Sequence, residues 1–90
     1  MSTLLVGYDL HRPGQDYPEL TKFLKSQDTW WHALDSTWIV VTPHGASGLR
    51  NEIKRFVDAN DDVLVVDIKG DSWASFGLSD AANKWLKENV

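Results

Sequence analysis

The 90-residue sequence contains no cysteine, only three prolines and a single methionine. Without cysteine there is neither a disulfide framework nor a thiolate that binds a metal, and this composition suits a reducing compartment. The apolar run near the N-terminus is interrupted by Gly7 and Asp9, which makes it too short for a signal peptide or a membrane span. We therefore expect a cytoplasmic protein with no membrane partner.

Positive charge is also scarce, because nine Lys and Arg residues stand against thirteen Asp and Glu residues, a net charge of −4. A protein that binds long stretches of phosphate backbone usually presents a basic face. Here the basic residues are scattered, and only Arg50, Lys54 and Arg55 fall together on one predicted helix. The composition disfavours a general nucleic-acid binder but leaves room for a locally basic groove.

Tryptophan, by contrast, is abundant, with five residues in the chain. Indole rings often fill cores and subunit interfaces, and they also stack on bases and other planar ligands. Core or dimer packing is the simpler interpretation of the adjacent pair Trp30 and Trp31. Ligand binding by these two rings is the alternative.

Hydrophobic periodicity predicts one domain over residues 1–90, with four strands and three helices. The Asp35-Ser36 pair supplies a tight turn between two strands, because both side chains can bond to nearby backbone amides. Asp16 and Ser79 are expected to cap the first and last helices. The predicted strands cover residues 3–10, 29–34, 37–42 and 63–68, and the predicted helices cover 16–26, 49–60 and 80–88.

This order predicts an α+β, ferredoxin-like βαββαβ fold with an antiparallel sheet ordered 4-1-3-2, plus a C-terminal helix. Residues 1–70 form the predicted core and residues 71–90 a C-terminal extension. If both main helices cover one sheet face, the other face is open and apolar, and a face-to-face homodimer would bury it. The residues expected on that open face are Leu5, Gly7, Asp9, Val63, Val65 and Asp67.

Candidate chemistry lies where the first strand ends, at Asp9. If the first and third strands are parallel, their ends meet the start of the fourth strand at one edge of the sheet. Carboxylates gathered there can bind a hard cation such as magnesium, which activates water or stabilises phosphoryl charge. The plainer alternative is that the acidic residues form turns and the histidines are solvated. The residues so gathered are Asp9, His11, Arg12, His44, Asp61 and Asp62.

Several segments resemble a known family. Val6-Gly7-Tyr8-Asp9-Leu10 is similar to the first-strand signature of the small ferredoxin-fold CRISPR-associated adaptation subunits, and the segment 34–40 resembles their second block. A SinR-like branch of that family is closer still. It shares residues 7–10 and 13–17, Trp30-Trp31-His32, segment 34–39, Ala59-Asn60-Asp61 and Trp85-Leu86-Lys87.

The resemblance implies a homodimer with packed sheets. In the wider superfamily, which includes VapD-like toxin ribonucleases, members are described as metal-dependent nucleases in which the aspartate matching Asp9 binds the metal at the dimer interface. It therefore implies a magnesium-dependent nuclease acting on RNA or DNA, with Tyr8, Arg12 and Ser36 positioning phosphate. Ser36 is equally well explained as a turn residue. The alternative is a non-catalytic dimeric scaffold, or a module that binds a nucleotide or a protein partner through Trp30, Trp31 and Trp73. The residues expected to bind ligand are His11, His44, Trp30 and Trp31.

Overall fold

A computed structural model describes residues 1–11 and 17–90. It contains the four strands and three helices that the periodicity predicts, with helix α2 continuing into a single 3-10 turn at Lys54–Phe56. The elements are β1 (Ser2–Asp9), α1 (Pro18–Lys25), β2 (Thr29–Leu34), β3 (Thr37–Thr42), α2 (Ala46–Ile53), β4 (Asp62–Asp67) and α3 (Asp80–Asn89).

The four strands form one open antiparallel sheet in the order β2-β3-β1-β4, which confirms a small α+β fold. The prediction that β1 and β3 run parallel is wrong, because Ser2 pairs with Thr42 and Gly7 with Thr37. Each helical connection passes over one intervening strand, so the strands it joins are parallel and immediate neighbours are antiparallel. The end of β3 therefore lies beside the start of β1, far from Asp9.

Helices α1 and α2 cover one face of the sheet and enclose the larger core. Every second residue of β1 points to this face, as the two-residue period of a strand requires. The helices contribute apolar side chains spaced three or four residues apart. The buried members of this cluster are Leu4, Val6, Tyr17, Leu20, Leu24, Trp38, Val40, Leu49 and Ile53.

Helix α3 lies against the second face of the sheet, so the prediction of a helix-free face is wrong. Its Leu86 packs with Trp31 and Ile39 in a second buried cluster. The Trp31 Nε1–H donates to the Ala82 carbonyl at 3.2 Å, and the Trp85 Nε1–H donates to Thr29 Oγ1 at 3.0 Å. The helix packs on Trp31 of β2 and Ile39 of β3, whereas Leu64 and Val66 of β4, on the same face, stay exposed.

The residues of β4 take the opposite faces from those predicted. Because Asp9 pairs with Asp62, Leu64 and Val66 share the Asp9 face, whereas Val63, Val65 and Asp67 point towards α1 and α2. Leu64 and Val66 are 63% and 40% exposed, whereas Val63 and Val65 pack against the larger core. A one-residue error in strand register exchanges the two faces, and this is such a case.

Of the two helix caps predicted from the sequence, the structure confirms the cap of α3. The Ser79 Oγ accepts a hydrogen bond from the Ala82 N–H at 3.1 Å and caps α3 as predicted. The predicted cap Asp16 lies outside the described residues, and α1 begins at Pro18 after Tyr17, which has φ 49°. Among the helices in the described ranges, none combines the length and apolarity needed to cross a bilayer.

Candidate functional site

Two carboxylates oppose each other where β1 ends and β4 begins. Asp9 and Asp62 are cross-strand partners on the same sheet face, and both are exposed. Like charges placed directly opposite each other in an antiparallel pair repel. No hydrogen bond or ion pair joins the Asp9 carboxylate to any residue that the structure describes. This edge therefore carries two negative charges with room for a cation beside them.

His11 partly compensates these charges. Its Nε2 lies 3.1 Å from Asp62 Oδ2, and this hydrogen bond is the main reason why the pKa of His11 is raised from 6.5. Partial desolvation lowers the pKa, but the negative charges of Asp62, Asp9 and Asp61 raise it further. The imidazole is thus held in a field that favours its protonated form.

Asp61 joins the end of β1 to the loop before β4. Its Oδ1 accepts the His11 backbone N–H at 2.7 Å, and its Oδ2 accepts the Asp58 backbone N–H at 2.7 Å. Desolvation is the largest influence on the Asp61 pKa and raises it, but these two bonds, the Tyr17 hydroxyl and the charge of His11 together outweigh it. The pKa is therefore lowered, and both carboxylate oxygens serve the local structure.

Ser36 also lies at this edge, next to β1. The Tyr8 backbone N–H donates to the Ser36 carbonyl at 3.1 Å, so the turn between β2 and β3 adjoins the end of β1. A shallow pocket of about 410 Å³ is lined here by residues that include Tyr8, Asp9, Ser36 and Asp62. The sheet thus places Ser36 and Asp9 in the lining of the same pocket.

The Tyr8 hydroxyl has a different environment. It accepts a hydrogen bond from the buried Trp38 Nε1–H at 3.0 Å, on the sheet face covered by α1 and α2. The Asp9 side chain points to the other face, because consecutive side chains of a strand alternate. The Tyr8 hydroxyl is therefore hydrogen-bonded within the core, although Tyr8 is also one of the residues that line the pocket.

Two other predicted residues do not join this site. His44 follows β3 at the opposite end of the sheet, where its backbone N–H donates to Thr42 Oγ1 at 3.3 Å. Its predicted place beside Asp9 is wrong because β1 and β3 are antiparallel. Arg12 lies outside the described residues. The predicted gathering of Asp9, His11, Asp61 and Asp62 is confirmed, since the antiparallel β1-β4 pair brings these four together.

The predicted binding tryptophans lie on opposite faces of the edge strand β2. Trp30 is 40% exposed, its ring is 5.6 Å from the Trp38 ring, and the Lys25 Nζ lies 5.2 Å from its centre. His32 stacks on Trp38 with ring centres 3.7 Å apart. Trp31 is buried under α3. Packing thus explains Trp31, whereas Trp30 keeps an accessible part of its ring.

The donor set fits an open magnesium site better than a closed cage. Over residues 1–11 and 17–90 there is no group of three or more His, Asp or Glu side chains arranged to hold a metal ion. Magnesium, however, commonly uses one or two carboxylates and keeps several waters. Asp9 and Asp62 meet that lesser requirement, whereas the oxygens of Asp61 are already occupied by backbone donors.

A larger apolar cavity was not anticipated from the sequence. It has a volume of about 480 Å³ and lies between the second sheet face, α3 and the 71–77 loop, with Trp31, Ile39, Trp73 and Phe76 among its lining residues. Phe76 is fully exposed. The only signal in the sequence is the pair of aromatic residues in an otherwise polar loop.

Comparison of the chain with protein-family models, with curated proteins and with solved structures finds no match.

Proposed function

We propose that this chain is a homodimeric, metal-dependent phosphodiesterase that cleaves RNA or DNA, on a ferredoxin-like fold of the CRISPR-associated, SinR-like kind. The observation that carries the proposal is the exposed pair of opposed carboxylates, Asp9 and Asp62. Their repulsion destabilises this edge unless a cation lies beside them. The acidic surface also repels phosphate, so a divalent cation is needed before an anionic substrate can approach.

Each residue at this edge has a distinct role in the proposed reaction. Asp9 and Asp62 hold the ion, and His11 orients the Asp62 carboxylate through the 3.1 Å hydrogen bond. Magnesium held by these carboxylates would supply positive charge at the phosphoryl group and would activate a water molecule. Ser36, across the shallow pocket from Asp9, binds a phosphate oxygen through its hydroxyl group.

The test compares Asp9→Asn with wild type in a cleavage assay on mixed RNA and DNA, with magnesium titrated from zero. Asn keeps the size of the side chain but removes the charge that binds the ion, so cleavage should be abolished while the circular dichroism spectrum is unchanged. Asp28→Asn is the matched control, because Asp28 is exposed and its backbone N–H donates to Val41, which pairs with Thr3 at the end of the sheet opposite Asp9. Full activity of Asp9→Asn would refute the proposal.

A second candidate function is a non-catalytic binding module, favoured by the 480 Å³ apolar cavity beside the exposed Phe76. Such a cavity suits a planar or apolar group better than a phosphate. Nucleotides should then quench tryptophan fluorescence without being hydrolysed, and Trp73→Phe should remove most of the quenching. Turnover of the quenching nucleotide would argue for the enzyme instead.

A further inference from the structure

Over residues 1–11 and 17–90, no strand pairs with the outer edge of β4, which carries apolar side chains. The Ile68 N–H donates to the Thr3 carbonyl at 2.9 Å, so alternate residues from Ile68 back along β4 direct their backbone groups towards β1. Val63, Val65 and Asp67 therefore direct their N–H and C=O groups outwards. Natural proteins usually protect such an edge with lysine, proline or a bulge. Residues 62–67 contain none of these devices.

We propose that β4 pairs antiparallel with β4 of a second copy, about a two-fold axis at Val65, and so joins two sheets into one of eight strands. The proposal rests on the dimeric state proposed above but gives it an edge-to-edge interface in place of the face-to-face packing expected from the sequence. It stands apart from cleavage because its test measures association alone. In this register all three outward residues are paired: Val65 opposes Val65 of the second copy, and Val63 opposes its Asp67.

Neighbouring registers are less favourable. Residues that oppose each other across the two strands must lie on the same face of the sheet. The two-fold axis can therefore pass through Val65 or through a neighbouring residue, and each such step moves the second strand by two residues along the first. An axis at Leu64 places Asp61 opposite Asp67 of the second copy, which opposes two carboxylates. An axis at Val66 places Val63 opposite Lys69, which lies beyond the end of β4.

Charge complementarity favours a second copy as the occupant. Arg50 of α2 lines the groove beside Val63 and Val65, and its guanidinium bonds only to the Asn51 amide oxygen within the described part of the chain. Asp67 of the second copy would arrive opposite Val63, on the same face as Arg50. Its Oδ1 accepts the Lys69 backbone N–H, which leaves Oδ2 for the arginine. Because the dimer is two-fold symmetric, it contains this ion pair twice.

The apolar side chains match in the same register. Leu64 opposes Val66 of the second copy, and both side chains are substantially exposed in the single chain. Because both residues bond to β1, they form the closer, non-hydrogen-bonded kind of cross-strand pair, with Cα atoms about 4.5 Å apart. In this dimer the two Asp9 residues are separated by both copies of β4, so each copy has its own metal site.

Cysteine cross-linking tests the register directly, because the chain has no cysteine of its own. Leu64→Cys and Val66→Cys variants are each oxidised alone and as an equimolar mixture, with a mass tag on one. A 4.5 Å Cα separation lies within the range that disulfides span. We expect a mixed disulfide in the mixture and little cross-linking in either variant alone. Efficient cross-linking of Leu64→Cys alone, or none in the mixture, would overturn the proposal.

Charge reversal tests the occupant independently, with sedimentation equilibrium as the measurement. Arg50→Asp and Asp67→Arg should each raise the dimer dissociation constant at least about tenfold, and the double variant should restore it. Arg55→Asp is the matched control, because Arg55 bonds to Glu52 of its own chain at 3.0 Å and should leave the constant unchanged. A wild type that stays at 10.2 kDa up to millimolar concentration would overturn the proposal, as would a dimer that is insensitive to both reversals.

Discussion

At the scale of single residues, the structure separates groups that lie close together in the sequence. Tyr8 and Asp9 are adjacent, yet the Tyr8 hydroxyl bonds to Trp38 in the core while the Asp9 carboxylate is exposed on the other face. The alternation of side chains along a strand decides this difference. The contacts of the Tyr8 hydroxyl therefore favour a structural role over the catalytic role that the resemblance implies.

Tyr8→Phe should lower the free energy of unfolding by about 1–3 kcal/mol, because it leaves the buried Trp38 N–H without its acceptor. Cleavage measured below the unfolding transition should be little changed, since the hydroxyl does not reach the Asp9 face. Urea denaturation and the nuclease assay are the two measurements. Loss of cleavage with unchanged stability would instead assign Tyr8 to the reaction.

His11 makes stability depend on pH. Because its folded-state pKa is raised from 6.5, its contribution is fully present below about pH 6.5 and is lost as the pH rises through the folded-state value. In EDTA, the difference in unfolding free energy between wild type and His11→Gln should therefore shrink as the pH is raised. Asp62→Asn, which removes the charged hydrogen-bond partner of His11, should reduce that dependence and leave the smaller part that the charges of Asp9 and Asp61 cause. A difference that grows with pH would contradict the assignment.

At the scale of elements, α3 is the unexpected feature. Its capping residue, boundaries and apolar stripe follow the local sequence, because helix ends and amphipathicity are encoded by residues a few positions apart. Its position over Trp31 and Ile39 depends on residues about fifty positions apart in the chain. Local patterns therefore predicted the helix but not the sheet face that it covers.

Leu86→Ala should destabilise the protein by about 2–4 kcal/mol, because Leu86 is buried between α3 and the sheet and its truncation leaves a cavity. Lys87→Ala, on the exposed side of the same helix, is the control and should cost less than about 0.5 kcal/mol. Thermal and urea unfolding measure both variants. Equal effects would show that α3 contributes little through packing on the sheet.

At the scale of the whole molecule, net charge determines which charged ligands are attracted to the surface and which are repelled. The chain carries −4, and Asp9, Asp61 and Asp62 concentrate negative charge at one end of the sheet. A polyanion would meet repulsion there, and a divalent cation held at the proposed site would reduce that repulsion. The acidic composition therefore agrees with a metal-dependent enzyme more readily than with a scaffold that binds nucleic acid unaided.

Binding of a fluorescein-labelled 20-nucleotide RNA to Asp9→Glu, which retains the charge, should be undetectable by anisotropy in EDTA and should appear as magnesium is added. Asp9→Asn should bind weakly in both conditions, because it lacks one of the two carboxylates proposed to hold the ion. Equal binding by Asp9→Glu with and without magnesium would show that the metal does not mediate contact with phosphate.

The sequence by itself determined the elements and most of their bounds: the 29–34 and 37–42 strands, the Asp35-Ser36 turn and the Ser79 cap all occur as predicted. Side-chain period, turn chemistry and capping act over a few residues, so a short window contains the information. Only the tertiary structure decided that β1 and β3 are antiparallel, that Leu64 and Val66 face outwards and that α3 covers Trp31. Those outcomes depend on strand register and on packing between residues distant in the chain, where a shift of one residue exchanges the two faces.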